Sequence, residues 1–306
     1  MKLGAVIVTF NRLDCLKKCL SAYDNSIENV DVLIVVNNNS SDGTGKYLED
    51  WKKQDSKFER VVLNLEENLG GSGGFFEGLK YASENKLDWI WIHDDDAYIQ
   101  KNTISELKKR INENNVEEVS AICAKVINGT GIQFSHRSRI RQKLFKVKTY
   151  AVPEEEYKNE FFLTNTFSYV GIAINNKKLN EVGLTNKDFF IHNDDIEHGY
   201  RLSKVGKIIT YPSIEIIHDN KEEKNNEITW KTYYSVRNHM FFIKKYFCRI
   251  SYYYQYFYYF CLAIFKGIIK KDKETEKLIL KAMKDANNNK LGKDNYYKPG
   301  WKINKI

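Results

Sequence analysis

Three consecutive aspartates, residues 94–96, carry the clearest chemistry in this chain. They follow the apolar run at residues 89–92, where a buried strand is expected to end. Carboxylates on such a turn can point the same way, and hard oxygen ligands suit Mg²⁺ or Mn²⁺. A metal held there would neutralise the charge that develops on a departing diphosphate. The alternative is an acidic turn that caps the next helix, because aspartates are common there too.

A second acidic cluster begins with Asp194 and Asp195 and opens a segment with amphipathic helical spacing. Adjacent carboxyls raise one another's pKa, which suits a base that takes the proton of an attacking hydroxyl. The acids could equally be dipole-favoured residues at a helix N-terminus. His218 ends a short apolar stretch downstream, and it could complete the coordination of a metal if the acidic clusters share one site.

A glycine-rich segment, residues 70–74, precedes a helical pattern. Glycines let the backbone approach a ligand closely, and a helix N-terminus favours anions. The segment lacks the Gly-Lys-Ser/Thr sequence of a P-loop, and it does not follow the first strand as a dinucleotide fingerprint would. We therefore expect a loop that either approaches an anionic ligand or only connects two elements.

The elements that must position these residues alternate between strand and helix over residues 1–100. Apolar runs predict strands at residues 6–10, 32–36, 60–65 and 89–92. Helical spacing predicts helices at residues 12–23, 45–53 and 75–85. This order implies an α/β fold with a parallel sheet covered by helices on both faces. Ligands of such sheets bind beyond the carboxyl ends of the strands, which is where the polar motifs fall.

The second half of the chain is less regular. We expect a helix at residues 104–114 and strands at residues 121–127, 167–174, 208–211 and 214–218. Residues 132–153 are basic and are expected to be irregular. The chain becomes helical, basic and tyrosine-rich from Trp230, so we place a boundary near Asn225. This boundary separates a domain of residues 1–225, divided near residue 100, from a C-terminal region of residues 226–306, whose polar tail after Asn287 should fray.

Composition limits the function classes. The 306 residues are 42% hydrophobic, which is ordinary for a globular protein, and their net charge is +8. Five scattered cysteines without paired doublets favour a reducing, intracellular compartment. The first apolar run is cut short by Asn11 and Arg12 without a cleavage site, so we expect no secretory signal. No nucleic-acid-binding module accompanies the basic residues, so no nucleic-acid partner is expected.

An uncharged, tyrosine-rich stretch at residues 250–265 distinguishes the C-terminal region. It is shorter than the ~20 residues that span a bilayer. Tyrosine favours the lipid–water interface and lysines flank the stretch, which fits a helix lying on an anionic membrane surface. A core helix packed on the preceding domain, or a contact between copies in a homo-oligomer, explains the composition equally well.

The motifs together resemble glycosyltransferase family two, which has the GT-A fold. The resemblance covers residues 3–240 and depends on four motifs, at residues 8–12, 36–44, 68–74 and 94–96. The extended glycine segment, the acidic pair and residues 234–238 are most similar to the rhamnosyltransferase and galactofuranosyltransferase branch. The resemblance implies a Rossmann-like, mostly parallel central sheet flanked by helices, with a helical C-terminal extension.

The resemblance also implies a role for each site residue. The nucleotide-sugar donor would contact Thr9, Asn11, Arg12, Asn38, Gly70, Gly71, Gly73, Gly74 and Asp95. Mn²⁺ or Mg²⁺ would be bound by Asp94, Asp96 and His218. Asp195 would be the catalytic base, with Asp194 as the alternative, in a single displacement that inverts the anomeric carbon. The family often carries an aspartate where this chain has Asn38, so the choice between uracil and thymine in the donor stays open.

The expected function is transfer of rhamnose or galactofuranose from a dTDP- or UDP-sugar to a cell-surface polysaccharide or lipid-linked glycan. It would take place in the cytoplasm, with the protein peripheral on the inner face of the plasma membrane. A nucleotidyltransferase of related fold is one alternative, but residues 9–12 lack the basic, glycine-rich signature that it needs. A sugar-nucleotide-binding or scaffold protein without turnover is another, against which the intact acidic residues argue.

Overall fold

The computed structural model describes residues 1–219 and 228–303. Its strands are β1 (Leu3–Thr9), β2 (Val32–Asn37), β3 (Glu59–Asn64), β4 (Trp89–Asp94), β5 (Ala97–Ile99), β6 (Val119–Asn128), β7 (Gly131–Ile132), β8 (Arg137–Lys143), β9 (Lys146–Ala151), β10 (Phe162–Thr164), β11 (Thr166–Phe167), β12 (Ile172–Asn175) and β13 (Lys207–His218). Its α-helices are α1 (Leu13–Asp24), α2 (Thr44–Lys52), α3 (Gly70–Glu84), α4 (Thr103–Glu113), α5 (Asn176–Val182), α6 (Asp194–Leu202), α7 (Trp230–Tyr246), α8 (Arg249–Ile264) and α9 (Lys273–Asn287).

A central sheet has the strand order β10-β13-β6-β12-β4-β1-β2-β3, with β5 and β7 added at β13 and β6. Its longest pairings are parallel: β1 with β2 and β4, β2 with β3, and β6 with β13. Strand β12 runs antiparallel between β4 and β6. The predicted α/β class and mostly parallel sheet are confirmed.

Buried apolar side chains lie on both faces of the sheet. Along β1, Ala5 and Ile7 point into the core beneath α1, α2 and α4, whereas Val6 and Val8 point into the core beneath α3 and α5. Strands buried on both faces are continuous apolar runs rather than alternating ones. This burial explains why β1, β2 and β4 could be recognised from sequence.

A hairpin replaces the irregular structure expected at residues 132–153. Strands β8 and β9 pair over six residue pairs, and β11 joins them in a separate three-stranded sheet. The strand expected at residues 167–174 is instead divided between β11 and β12. Gly171 turns the chain between them with a φ of 69°, and the buried Arg137 donates to the carbonyls of Val170 and Gly171. These hydrogen bonds connect residues that are distant in sequence, so local spacing did not reveal them.

The two short strands expected at residues 208–211 and 214–218 form the single strand β13, with an irregularity in its pairing to β6 between Tyr211 and Glu215. The glycine segment at residues 70–74 is not a loop, because α3 begins at Gly70.

Helices α7, α8 and α9 pack with the β8–β9 hairpin around a third apolar core, which confirms the helical C-terminal extension. The described part of the tail after Asn287, residues 288–303, packs against α7 rather than fraying as predicted. Tyr297 is buried with its ring 5.0 Å from that of Tyr233, and the Asp294 amide donates to the Tyr234 hydroxyl. The predicted boundary near Asn225 lies outside the described residues.

Candidate active site

The acidic triplet lies where β1, β2 and β4 end at a common edge of the sheet. Val8 of β1 pairs with Asp94 of β4, and Thr9 pairs with Asn37 of β2. Because these strands are parallel, the loops that follow them meet at this edge. The triplet, the loop after β1 and the loop after β2 therefore lie together at the edge where the sequence predicted a site.

Arg12 lies between two of the three aspartates. Its guanidinium forms an ion pair with Asp95 and donates to Asp96 over 2.6 Å. Asp95 is fully buried and also accepts a 2.6 Å hydrogen bond from the Thr9 hydroxyl. Burial raises the pKa of Asp95 to about 6, although Arg12 and Thr9 oppose the rise. Burial also acts to raise the pKa of Asp96, but His218 and Arg12 outweigh it and hold the pKa at about 2.

Asp96 and His218, two of the predicted metal ligands, are brought together by the pairing of β5 with β13. His218 Nε2 lies 3.5 Å from Asp96 Oδ1, and His218 Nδ1 lies 2.9 Å from the side-chain oxygen of Gln133. An amide oxygen accepts hydrogen bonds, so Gln133 favours the ring with its hydrogen on Nδ1. The contact with Gln133 orients the ring so that Nε2 faces Asp96, as a second residue orients a histidine that ligates a metal.

A divalent cation fits this pair. Within residues 1–219 and 228–303, Asp96 Oδ1 is buried and accepts no hydrogen bond, so it is an unsatisfied oxygen facing an imidazole nitrogen. Asp94 does not complete a triad with them: the described part of the chain contains no group of three His, Cys, Asp or Glu side chains placed to hold a metal. The assignment of Asp94 as a ligand stays a prediction.

Asp194 and Asp195 are the first two residues of α6. Burial raises the pKa of both carboxyls, and the charge of Asp194 raises that of Asp195 further. The Ile196 amide opposes this effect by donating to Asp195 Oδ1 over 2.7 Å. Asp194 also raises the pKa of Asp94, although less than burial and the neighbouring aspartates do, so the two acidic clusters share one electrostatic environment. A carboxylate with a raised pKa accepts a proton more readily than an ordinary aspartate.

The loop before α6 has an unusual backbone. Phe190, His192 and Asn193 have φ values of 66°, 65° and 64°, in a region that residues other than glycine seldom adopt. Each such residue costs on the order of 1 kcal/mol or more, and the surrounding structure must impose the conformation. Strained backbone directly before a predicted catalytic pair is consistent with a precisely shaped site.

Two buried side chains of α7 hold this loop. The Asn238 amide donates to the carbonyls of Phe189, Ile191 and His192, each over 2.9 Å. Arg237 donates to the Phe189 carbonyl over 3.1 Å. Residues 234–238 contributed to the family resemblance, but no role was predicted for them. That resemblance was the available signal. The sequence offered no signal that Gln133 would contact His218.

Helix α3 begins against the same loop. A Cβ atom at Gly70 would lie 2.0 Å from the Phe190 carbonyl oxygen, and Gly70 has a φ of +74°. A Cβ at Gly74 would lie 2.5 Å from the Val8 side chain of β1. These glycines therefore allow close packing between α3, β1 and the strained loop, which is the structural reason for the glycine segment.

The other two predicted glycines differ. A Cβ at Gly73 would meet the Leu69 side chain at 2.4 Å, whereas none of the described residues lies within 4 Å of a Cβ at Gly71. Gly71 thus faces open space at the first turn of α3, where a helix favours anions. Contact between the donor and these four glycines stays a prediction.

Two predicted donor-binding asparagines form hydrogen bonds within the protein. The Asn38 amide donates to the Gly70 carbonyl and accepts from the Leu69 amide, both over 2.9 Å. Asn11 has a φ of 52° and accepts from the Ser41 amide over 2.7 Å. Asn38 therefore fixes the start of α3, and Asn11 joins the loops after β1 and β2. Their contacts with a donor stay predictions.

Glu197, the third acid of the second cluster, has a separate function. It is buried and receives hydrogen bonds from Arg201 on its own helix and from the Tyr246 hydroxyl of α7. The hydrogen bond from Tyr246 fastens α6 to α7. The structure thus distinguishes the predicted catalytic pair from an adjacent structural acid.

Comparison with known families agrees with this geometry. The model of glycosyl transferase family 2 matches residues 5–184, which is more than half of the chain. The chain belongs to this family. The resemblance seen in the sequence motifs is confirmed.

Individual relatives are similar to parts of the chain. Galactofuranosyltransferase GlfT1 of Mycobacterium tuberculosis is 28% identical over 206 residues, which are 66% of this chain and 64% of that protein. The GalNAc(5)-diNAcBac-PP-undecaprenol beta-1,3-glucosyltransferase of Campylobacter jejuni is 26% identical over 62% of each chain. The matched part thus spans a little less than two thirds of these relatives.

Among solved structures, S. aureus TarS 1-349 in complex with UDP-GlcNAc superposes with a TM-score of 0.62 at 16% identity, over 94% of this chain and 81% of that one. GalNAc-T7 with UDP, GalNAc and Mn²⁺ has a TM-score of 0.62 at 14% identity, over 94% of this chain and 56% of that one. At these identities the likeness shows the fold alone.

Proposed function

We propose that this protein is a metal-dependent, inverting glycosyltransferase that uses a nucleotide-sugar donor. The observation that carries the proposal is the contact of Asp96 with His218 at the sheet edge, where the charge of Asp194 also acts on Asp94. Such an edge is where α/β folds bind nucleotides. Membership of glycosyltransferase family 2 supports the reaction class.

The chain's own residues would act as follows. The Asp195 carboxylate takes the proton of the acceptor hydroxyl while the hydroxyl oxygen attacks the anomeric carbon. The bond from this carbon to the diphosphate breaks on the opposite face, so the configuration inverts and the diphosphate leaves with the electron pair. Asp194 is the alternative base, and as a neighbouring negative charge it raises the pKa of Asp195.

Asp96 and His218, with Asp94, would hold Mn²⁺ or Mg²⁺, which stabilises the negative charge of a leaving diphosphate. The Arg12 guanidinium could also contact the donor, because it is partly exposed while it pairs with Asp95 and Asp96. A diphosphate that approaches this cluster would meet the positive charge of Arg12 in addition to the metal. Gly71 leaves open space at the first turn of α3.

Rhamnose or galactofuranose is the proposed sugar, carried by a dTDP or UDP donor to a cell-surface polysaccharide or lipid-linked glycan. Relatives named galactofuranosyltransferase support the galactofuranosyl alternative, and a relative named for an undecaprenol-linked glycan supports a lipid-linked acceptor. GalNAc-T7, which has a similar fold, was solved with UDP and Mn²⁺, so this fold is compatible with a uridine donor and a metal. We place the reaction at the cytoplasmic face of the plasma membrane.

A donor screen tests the proposal. Purified protein is mixed with Mn²⁺ or Mg²⁺ and a panel of UDP-, dTDP- and GDP-sugars, and release of nucleoside diphosphate is recorded with and without EDTA. We expect release from one donor that EDTA abolishes and added metal restores. The Asp96→Ala variant should need more metal for the same rate, whereas Asp219→Ala, an exposed aspartate nearby, serves as the matched control.

Three results would contradict the proposal. Donor turnover that is unchanged by EDTA would remove the metal from the mechanism. If no donor is hydrolysed and calorimetry detects no donor binding, the scaffold alternative replaces the enzyme. Retention of configuration at the anomeric carbon, measured by NMR on the product, would replace single displacement with a two-step mechanism.

A further inference from the structure

An apolar face of α8 is exposed although the helix packs on its other side. Tyr252 and Ala263 are buried against the neighbouring helices. A large exposed set repeats at helical spacing on the opposite side and continues into the following turn: Ile250, Tyr253, Phe257, Phe260, Phe265, Ile268 and Ile269. Ile250 and Phe257 are each 66% exposed. Contiguous apolar surface of this kind marks a binding site for a protein or a membrane.

The tip of the β8–β9 hairpin extends this face. Leu144 is 82% exposed, and the adjacent Phe145 lies with its ring 5.1 Å from that of Tyr254 on α8. Gln142 attaches the hairpin to the helix through a 3.4 Å hydrogen bond to Ser251. Two segments about a hundred residues apart therefore form one surface, which we call the α8–hairpin face.

Charge indicates what this face meets. The sequence contains no aspartate or glutamate from residue 249 to residue 271 or from residue 137 to residue 151. The same two segments carry basic residues that are at least partly exposed: Arg141, Lys143, Lys146, Lys148, Arg249, Lys266, Lys270 and Lys271. These residues flank the exposed apolar side chains along the chain. A basic rim around exposed aromatic and aliphatic side chains complements a surface that is anionic outside and apolar within.

Two other occupants fit less well. A second copy of this chain would place basic segments against basic segments in a symmetric contact, and like charges that face each other are unfavourable. A bilayer-spanning arrangement also fails, since each helix within residues 1–219 and 228–303 is too short or too polar to cross a membrane. Of the occupants considered, the surface of a membrane fits this face best.

We propose that the α8–hairpin face binds the surface of an anionic lipid bilayer. The side chains of Leu144, Phe145 and Phe257 enter the boundary between headgroups and acyl chains, while the basic rim contacts lipid phosphates. Tyrosine and phenylalanine suit this depth because their rings tolerate the interface. The proposal concerns a surface outside the candidate active site, so it does not depend on the proposed transfer reaction.

Vesicle co-sedimentation of the full chain tests the proposal. The probes are vesicles of equal parts phosphatidylglycerol and phosphatidylcholine, and vesicles of phosphatidylcholine alone. We expect binding to the anionic vesicles and at least ~10-fold weaker binding to the neutral ones, because neighbouring basic residues each add to the attraction. Absence of binding to anionic vesicles would overturn the proposal.

Variants separate insertion from simple charge attraction. Phe257→Ser on the helix and Leu144→Ser on the hairpin should each weaken binding to anionic vesicles by ~10-fold, because each removes an inserted apolar side chain. The matched control is Ile27→Ser, since Ile27 is 72% exposed outside the face. Because the two test residues lie on different elements, a folding defect in one variant leaves the other as a test. If the control and both variants bind anionic vesicles equally well, and salt releases all of the bound protein, the proposed insertion of apolar side chains is wrong.

Two further readouts keep the result unambiguous. If the wild-type chain forms dimers that Phe257→Ser dissociates, and does not bind vesicles, the face is a subunit interface and the proposal is wrong. Release of nucleoside diphosphate from a soluble donor should be unchanged in both variants. If neither the wild type nor the variants release nucleoside diphosphate but the wild type still binds vesicles, the proposed function is contradicted and the proposal of membrane binding is retained.

Discussion

At the scale of single residues, the acidic pair is the part of the site most open to test. Asp194 and Asp195 occupy adjacent positions at the start of α6, yet their environments differ, because the Asp195 carboxyl accepts from the Ile196 amide while the Asp194 charge acts on Asp195. A neutral amide at either position removes a base but preserves the size of the side chain.

We expect Asp195→Asn to lower kcat by ~10²-fold, the usual contribution of a general base, with donor binding unchanged. Asp194→Asn should have the smaller effect, since it leaves the carboxylate of Asp195 in place. Steady-state rates and donor titration by calorimetry measure both quantities. A rate for Asp195→Asn equal to that of the wild type would reassign the base, and the larger loss in Asp194→Asn would assign it to Asp194.

The raised pKa values of this pair predict a pH dependence. Burial disfavours the charged carboxylate and so raises the folded-state pKa of both residues above the ordinary aspartate value. A base acts in its unprotonated form, so kcat/KM should fall as pH decreases through the raised pKa. We therefore expect an acidic limb near neutral pH rather than near pH ~4. The limb should move or vanish in Asp195→Asn, and a limb unchanged in that variant would contradict the assignment.

At the scale of secondary-structure elements, the first turn of α3 is determined by close packing. Gly70 has both a positive φ and a carbonyl oxygen, that of Phe190, in the space a Cβ would need. Gly71, its neighbour in the same turn, has open space instead. This difference makes the two glycines a matched pair.

We expect Gly70→Ala to destabilise the protein by ~1–3 kcal/mol and to lower kcat, because the strained loop before α6 must move away from α3. Gly71→Ala should change the free energy of unfolding by no more than ~0.5 kcal/mol. Thermal unfolding and steady-state rates supply the measurements. Equal stability of the two variants would show that α3 and the loop adjust freely. A lower rate for Gly71→Ala at unchanged stability would instead indicate that a ligand occupies the space beside it.

At the scale of the whole molecule, the C-terminal helices support the candidate active site. Helix α7 supplies Arg237 and Asn238 to the loop before α6, and the Gly292 carbonyl of the tail accepts from Arg237 over 2.6 Å. The region predicted as an extension is thus joined by hydrogen bonds to the loop that precedes the predicted catalytic pair. We infer that the two regions fold and function together.

Asn238→Asp tests this connection, because it keeps the shape of the side chain but replaces the amide donor with an oxygen that faces three carbonyl oxygens. We expect a loss of ~2 kcal/mol of stability and a kcat lowered by ~10-fold or more, with KM for the donor little changed. The control is Asn289→Asp, on the exposed surface. A variant that is destabilised but fully active at low temperature would show that Asn238 supports folding without positioning the loop.

The sequence by itself determined the sheet and much of the site. Strands β1, β2 and β4 are continuous apolar runs because both of their faces are buried, so local composition revealed them. Parallel strands place their carboxyl ends at one edge, so the order of motifs predicted that the residues after these strands would lie close together, and the Thr9 hydroxyl does donate to Asp95. The family resemblance assigned Asp96 and His218 to one metal site; the two side chains lie 3.5 Å apart, and their role as metal ligands stays a prediction.

Only the tertiary structure decided how these residues are supported. The hydrogen bonds of Asn238 to the strained loop, the contact of Gln133 with His218 and the attachment of the hairpin to α8 all join residues far apart in the chain. Spacing along a sequence reports local periodicity, whereas these contacts arise when separate elements pack together. The same packing shows that Glu197 fastens α6 to α7, although by residue type it resembles the adjacent aspartates.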